Sequence, residues 1–278
     1  MSSILTNTSA MNALSTLRNI NDQLSETQNR ISTGMKVNSA KDNASYFSIS
    51  TTMDSESGMN KAVNEGLTLA KNSVSTARLG AETMVDLAQQ CVDRMAFAQT
   101  EGVDQTDVQK ELASLAAQMK TAIDQSSFNG ENLISTAGAG PKEVVSGVSR
   151  SGGALSTTSI DFTSTDLEAV QATFAAITID NTTTAADLEL AMTNAEVYLS
   201  SVIDAATGLG IVEKSIETQQ NFLNELTDRL DSGVGSMIDA DMEEEAARLQ
   251  SLQVQQQLST QSLSIANQSP QNILSLFK

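Results

Sequence analysis

From Val63 to Met95, apolar and small residues recur at intervals of four and three without a slip: Val63, Leu67, Ala70, Val74, Ala77, Ala81, Met84, Ala88, Cys91 and Met95. That spacing keeps one stripe facing one direction along a helix, so the segment is predicted to be a coiled-coil helix in search of a partner seam. The stripe ends at "TEGVDQTDVQ". There Gly102 breaks the helix, and Thr106 with Gln109 three residues on reads as a capping box. A second stripe follows at Val108, Leu112, Leu115, Met119 and Ala122. So short a link makes the two helices antiparallel neighbours.

Beyond them, Asn129-Gly130 between Phe128 and Leu133 is a hairpin signal, because both turn residues tolerate positive φ. From Ala137 the composition shifts to Gly, Ser and Thr. "KEVVSGVSR" and "ALSTTSIDF" alternate weakly like exposed strands, and "STDLEAVQATFAAI" reads as a short helix. Residues 137–183 are thus expected to be a small, loosely specified insert. A longer seam then runs through Leu188, Ala191, Ala195, Tyr198, Val202, Ala205, Leu209, Val212, Ile216, Gln219, Phe222 or Leu223, Leu226 and Leu230, with one polar position. As a helix it would reach roughly 65 Å, a rod. Gly208 and Gly210 mark a place for a break or close approach, and Gly208-x-Gly210 and Gly233-x-Gly235 read as hinges, since neither follows a strand nor has the third glycine of a phosphate loop.

The two ends are patterned as well. Ala10, Ala13, Leu17, Ile20, Leu24 and Ile31 hold heptad positions near the start. Near the finish two stripes run side by side: Ala247, Val254, Leu258, Ile265, and Leu249, Leu252, Leu263, Ala266. Pairing the terminal helices covers one stripe of each. It leaves the second C-terminal stripe, with Ile273, Leu274, Leu276 and Phe277, facing water, and an apolar patch of that kind marks a partner. The net charge is −18, yet residues 1–42 carry +1 and residues 246–278 carry +2, so the middle holds −21. Near-neutral ends can pack against copies of themselves without the repulsion of that middle.

Other chemistry finds little purchase. Strong acidity argues against nucleic acid or an anionic membrane surface as partner. With no His there is no general base near pH 7 and no zinc-ligand spacing, so neither an enzyme nor a metal or other cofactor is expected. The single Cys91 excludes an internal disulfide and, lying in the stripe, reads as a buried small hydrophobe. The first twenty residues lack the apolar run of a secretory signal, and no stretch is read as a membrane span. The acidic cluster in "IDADMEEEAARL" lacks the Gly and closing Glu of a calcium loop; Asp241 instead reads as a helix cap, with Glu244 as its capping-box partner. The Met residues look like core filler.

Several stretches are similar to bacterial flagellins. "RISTG" followed by "NSAKD" within the first 45 residues, "FNG" after the second helix, "MIDADMEEEAARLQ" and the closing "QQQLSTQSLSIANQSPQNILSLF" stand in that family's order and spacing over residues 1–135 and 190–278. The resemblance implies a mainly α fold: a long antiparallel helical rod, paired N- and C-terminal helices, a β-hairpin and a small variable insert. It divides the chain into an inner-tube domain (1–42 with 236–278), a rod (43–136 with 184–235) and an outward-facing insert (137–183). It implies a secreted, extracellular homopolymer, built through terminal residues such as Leu14, Leu17, Leu24, Ile31, Leu252, Leu258, Leu263, Ile265 and the apolar tip. It also implies dealings with the flagellar type III export apparatus, an export chaperone and a cap protein. Asn38, Ser39, Ala40, Lys41 and Asp42 correspond to the joint between tube and rod.

One departure stands out. Family members that trigger the animal innate immune receptor carry an arginine which, in ungapped comparison, falls at Cys91, and a second at Leu115; the acidic companion is kept as Glu111. Loss of charge-assisted contacts implies weak receptor activation. A hook-filament junction protein and a coiled-coil secreted adhesin are the competing readings, and the full "SAKD" and "DADM" signatures favour the filament.

Overall fold

The computed structural model describes residues 6–151 and 154–275, with side chains described over 6–150 and 154–268. Among these residues the chain forms α1 (Thr8–Thr33), α2 (Ala44–Ala98), α3 (Gln105–Gln125), β1 (Gly140–Ser151), β2 (Ala154–Ser164), α4 (Leu167–Ala175), α5 (Ala185–Ile238) and α6 (Met242–Ser275). It divides into two compact units, one of Met1–Ser55 with Arg229–Lys278 and one of Glu56–Asp228.

In the Glu56–Asp228 unit, the α2 stripe buries as its spacing requires. Leu67, Val74, Ala77, Ala81, Met84, Ala88, Cys91 and Met95 are all in the core. They share it with Leu188, Ala195, Val202, Ala205, Leu209, Ile216 and Leu223 of α5. Polar pairs along the rim show the two helices antiparallel: Asn64 Nδ2 donates to Asn224 (2.6 Å), Gln220 Nε2 to Thr68 (2.8 Å) and Arg78 Nε to Glu213 (2.7 Å). Small side chains on α2 allow close approach, and Gly80 leaves room for the end of α3, since a Cβ there would meet Ser126 and Ile134. Leu223, not Phe222, is the seam residue; Phe222 faces solvent.

The α3 seam is Val108, Leu112, Ala116, Met119 and Ile123, with Leu115 and Ala122 half-buried at its edge. The expected capping box is displaced. Asp104 caps the helix by accepting from the Thr106 amide at 3.0 Å, while Gln109 reaches across to Ile177 and Ile179. A carboxylate one residue before the helix outcompetes the Thr hydroxyl already inside it.

Asn129 and Gly130 do adopt positive φ (53° and 83°), and Phe128 and Glu131 exchange both backbone bonds across them. Their flanks do not extend into strands, however. The hairpin proper is β1 with β2, paired from Gly140↔Ser164 to Ser151↔Ala154 with a bulge between Val145 and Gly147. The bulge frees the Ser146 carbonyl to accept from Gln219 Nε2 at 2.8 Å, which explains the one polar position in the α5 stripe. The stretch 137–183 is also better specified than its composition suggests. Leu167, Phe174 and Ile179 join the core, and Phe174 meets Tyr198 edge-on at 5.6 Å.

Both glycine pairs of the second half lie within α5, which is continuous for 54 residues, so neither breaks the helix. Against the expectation of no such stretch, an 18-residue window of α5 is apolar enough to pass for a membrane span by length and composition; only 22% of that window is buried in the chain.

In the other unit α1 lies antiparallel to α6, linked by Asn7 Nδ2 to Ala266 O (2.8 Å), Gln256 Nε2 to Asn21 Oδ1 (2.7 Å) and Arg30 Nη1 to Glu245 Oε1 (3.1 Å). Gly34 ends α1 at φ 73°, its N–H donating to Arg30 O. A short backbone bridge follows: Lys36 N donates to Ile238 O (2.7 Å) and Ala240 N to Gly34 O (2.8 Å). Asp241 caps α6 as expected, accepting from Glu243 N (3.0 Å) and Glu244 N (3.2 Å), whereas the Glu244 carboxylate pairs with Arg248.

Candidate polymerisation surface and joint

On α6 the seam toward α1 runs through Glu245, Leu249, Leu252, Gln256, Ser259, Leu263 and Ala266, all buried or half-buried. It meets Ala10, Ala13, Leu17, Ile20, Leu24, Thr27 and Ile31 of α1, likewise buried or half-buried. This uses one of the two C-terminal stripes. The other remains uncovered: Val254, Leu258 and Ile265 are 55%, 64% and 63% exposed. On α1, Met11 and Leu14 also face solvent.

The terminal residues singled out in the sequence therefore separate into two groups. Leu17, Leu24, Ile31, Leu252 and Leu263 belong to the seam within the chain. Leu14, Leu258 and Ile265 belong to the open face, which Met11 and Val254 extend. Ile273 and Leu274 fall in the backbone of α6, but their side chains, like Leu276 and Phe277 entirely, lie outside the described residues.

The segment expected to be the joint has its own order. Asn38, Ser39, Ala40, Lys41 and Asp42 form a turn closed by Asp42 N donating to Ser39 O at 3.0 Å. Asp42 Oδ2 accepts from the Ser39 amide (2.9 Å), the Ser39 hydroxyl (3.0 Å) and the Asn38 amide (3.1 Å). Asn43 then caps α2 by accepting from Ser45 N and Tyr46 N, both at 3.1 Å. The Ser39 hydroxyl, followed by the Asn38 and Ser39 amides, holds the Asp42 carboxyl below the usual carboxylate range. A group so depressed stabilises the turn at neutral pH and loses that contribution only as pH falls through its lowered value. Asp42→Asn is expected to speed amide exchange at Asn38 and Ser39 by roughly three- to tenfold at pH 7, with α2 unchanged; hydrogen-exchange NMR checks it.

The three receptor-associated positions do not share a surface. Cys91 is buried, and burial pushes its thiol up to about 11, so it offers nothing to a partner. The ungapped placement of an arginine there therefore lands on an interior position. Leu115 is half-buried, while Glu111 is exposed and pairs with Arg94 at 3.2 Å. Among the described residues no group of three or more His, Cys, Asp or Glu is placed to hold a metal ion.

Sequence reasoning missed the Arg30–Glu245 pair. A signal was present, because the heptad frame carried back from Leu252 and Leu249 lands on Glu245, a charged residue at a seam position.

Comparison with known proteins follows this organisation. Residues 4–139 match the model of the bacterial flagellin N-terminal helical region, and residues 192–277 that of the bacterial flagellin C-terminal helical region. Aligned over the whole of both chains, the protein is 40% identical to a flagellin of Brucella melitensis biotype 1. It is likewise 37% identical to flagellin C and 32% to flagellin A of Rhizobium meliloti strain 1021, again over the whole of both. With both helical regions matched in order and relatives aligned from end to end, the chain belongs to the bacterial flagellin family, the structural subunits of the flagellar filament.

Proposed function

We propose that this chain polymerises through the open faces of α1 and α6, which other copies cover. The observation that carries the reading is the second α6 stripe, apolar at Val254, Leu258 and Ile265 and uncovered after α1 has taken the first. Residues 1–42 and 236–278 then form the inner tube, 43–136 and 184–235 the rod helices of the outer wall, and 137–183 the outward-facing insert, with Asn38–Asp42 as the joint. Support for lateral packing of the wall comes from α5, where Val197, Ile203 and Ile211 are apolar and exposed. The near-neutral ends favour self-contact over the acidic middle.

On this reading the subunit leaves the cell through the flagellar type III export apparatus with its N-terminal segment uncleaved, is escorted by an export chaperone, and is placed beneath a cap protein in an extracellular filament. No catalytic role is assigned. Purified chain seeded with filament fragments should grow long filaments visible by electron microscopy; dispersed compact particles at high concentration would overturn the proposal. With Cys91 interior and Leu115 half-buried, weak or absent activation of the innate immune receptor is expected in a cell reporter assay, and a response equal to that of an enteric flagellin would refute it.

A further inference from the structure

The α1–α6 register is not the one that apolar matching alone selects. The links Asn21–Gln256 and Arg30–Glu245 set Leu24 opposite Leu252, but they also set Ile20 opposite Gln256 and Leu17 opposite Ser259. Sliding α6 by one heptad toward the N-terminus of α1 would place Leu17 against Leu252 and Ile20 against Leu249. That gives two large apolar pairs where the observed register has one. A seam this rich in Ala, Thr, Ser and Gln therefore discriminates poorly between registers by burial.

Charge does discriminate. Glu245 is buried, its Oε1 held by Arg30 at 3.1 Å, while its Oε2 is buried without a partner. Arg30 is also held by Glu26 at 2.6 Å, and Arg248 Nη1 lies 3.7 Å from Glu245. In the slid register Glu245 would face Leu24, desolvated and far from Arg30. A buried ion pair adds little to stability, and less when one oxygen is orphaned, but an unpaired buried charge is heavily penalised. We infer that the Arg30–Glu245 pair is the register-specifying element of the terminal helix pair, excluding an apolar-preferred slip that would misalign the open face of α6 against Met11 and Leu14. The backbone bridge between Met35 and Asp239 closes the same end and would have to open for the helix to slip.

The test reads register directly, in the full chain. Cysteine pairs Leu24→Cys with Leu252→Cys, and Leu17→Cys with Leu252→Cys, report the observed and the slid register by disulfide yield. In an otherwise unchanged chain the first pair should cross-link at least tenfold more than the second. Arg30→Leu with Glu245→Leu removes both charges and adds apolar surface. It is expected to raise the 17/252 yield at least tenfold and reduce filaments, while the helical far-ultraviolet circular dichroism of the free subunit stays equal or increases. Retention of the 24/252 preference in that variant would overturn the inference, and so would a loss of that helical signal, which would make the pair a simple stabiliser. Only the filament arm rests on the polymerisation proposal. Normal cross-linking in a chain that never forms filaments sinks that proposal and leaves the register inference standing.

Discussion

Aspartate in place of both Leu258 and Ile265 is expected to abolish filament formation while leaving the helicity of the free subunit unchanged. Both side chains point away from α1, so their loss removes nothing from the seam within the chain. In the assembled state each contributes about 1.5–3 kcal/mol by burial, and a carboxylate left in their place adds a desolvation penalty. At about 1.4 kcal/mol per decade, the burial loss alone raises the concentration needed for polymerisation by roughly two to four decades. Sedimentation and electron microscopy check the loss, and unchanged far-ultraviolet circular dichroism checks the fold. Filaments at the ordinary concentration would mean that this face is not an interface.

A second contrast separates the core from an exposed face on a single helix. Ile216 is fully buried, whereas Ile211, little more than one turn away on α5, is 66% exposed. Ile216→Ala is expected to lower the stability of the isolated subunit by about 2–5 kcal/mol, through lost transfer free energy and the cavity left between α2 and α5. Ile211→Ala should change it by no more than about 0.5 kcal/mol. Chemical denaturation of the monomer gives both numbers. If Ile211→Ala also weakens filaments against heat without touching the monomer, the apolar outer face of α5 is used between copies.

The contrast shows what periodicity reveals. Heptad spacing identified the buried apolar positions of α2 from Leu67 to Met95 and of α5 from Leu188 to Leu223, because a seam imposes one rule on every turn, but it passed over the buried polar residues Ser50, Ser57, Asn60 and Thr227. It also separated the two stripes of α6. It could not decide between Phe222 and Leu223, where a one-residue choice depends on the partner helix. Capping was less legible: Asp104 and Thr106 both suit a helix start, and only the backbone path selects the aspartate. The hairpin shows a further limit. Asn129-Gly130 is a real turn, but the strands that pair are the weakly patterned 140–164, held by a bulge and by Gln219 from a distant helix. Gly208 and Gly210 make no break, since a long helix packed on its seam tolerates the modest cost of each. The Arg30–Glu245 pair joins residues 215 apart: the heptad frame marks Glu245 as a charged seam position, but nothing local names its partner.

The claim on which everything else depends is that the terminal helices are completed by identical neighbours. A single seam in which half the side chains are small or polar offsets the ordering of two helices only marginally, so these helices should open often in the free subunit. Hydrogen exchange measured over residues 8–33 and 242–268, in verified monomer and in filaments of the same preparation, tests this most directly. The expected result is rapid exchange in the monomer and strong protection in the filament. Equal protection in both would show that the terminal helices already have all the cover they need within one chain, and would contradict the account.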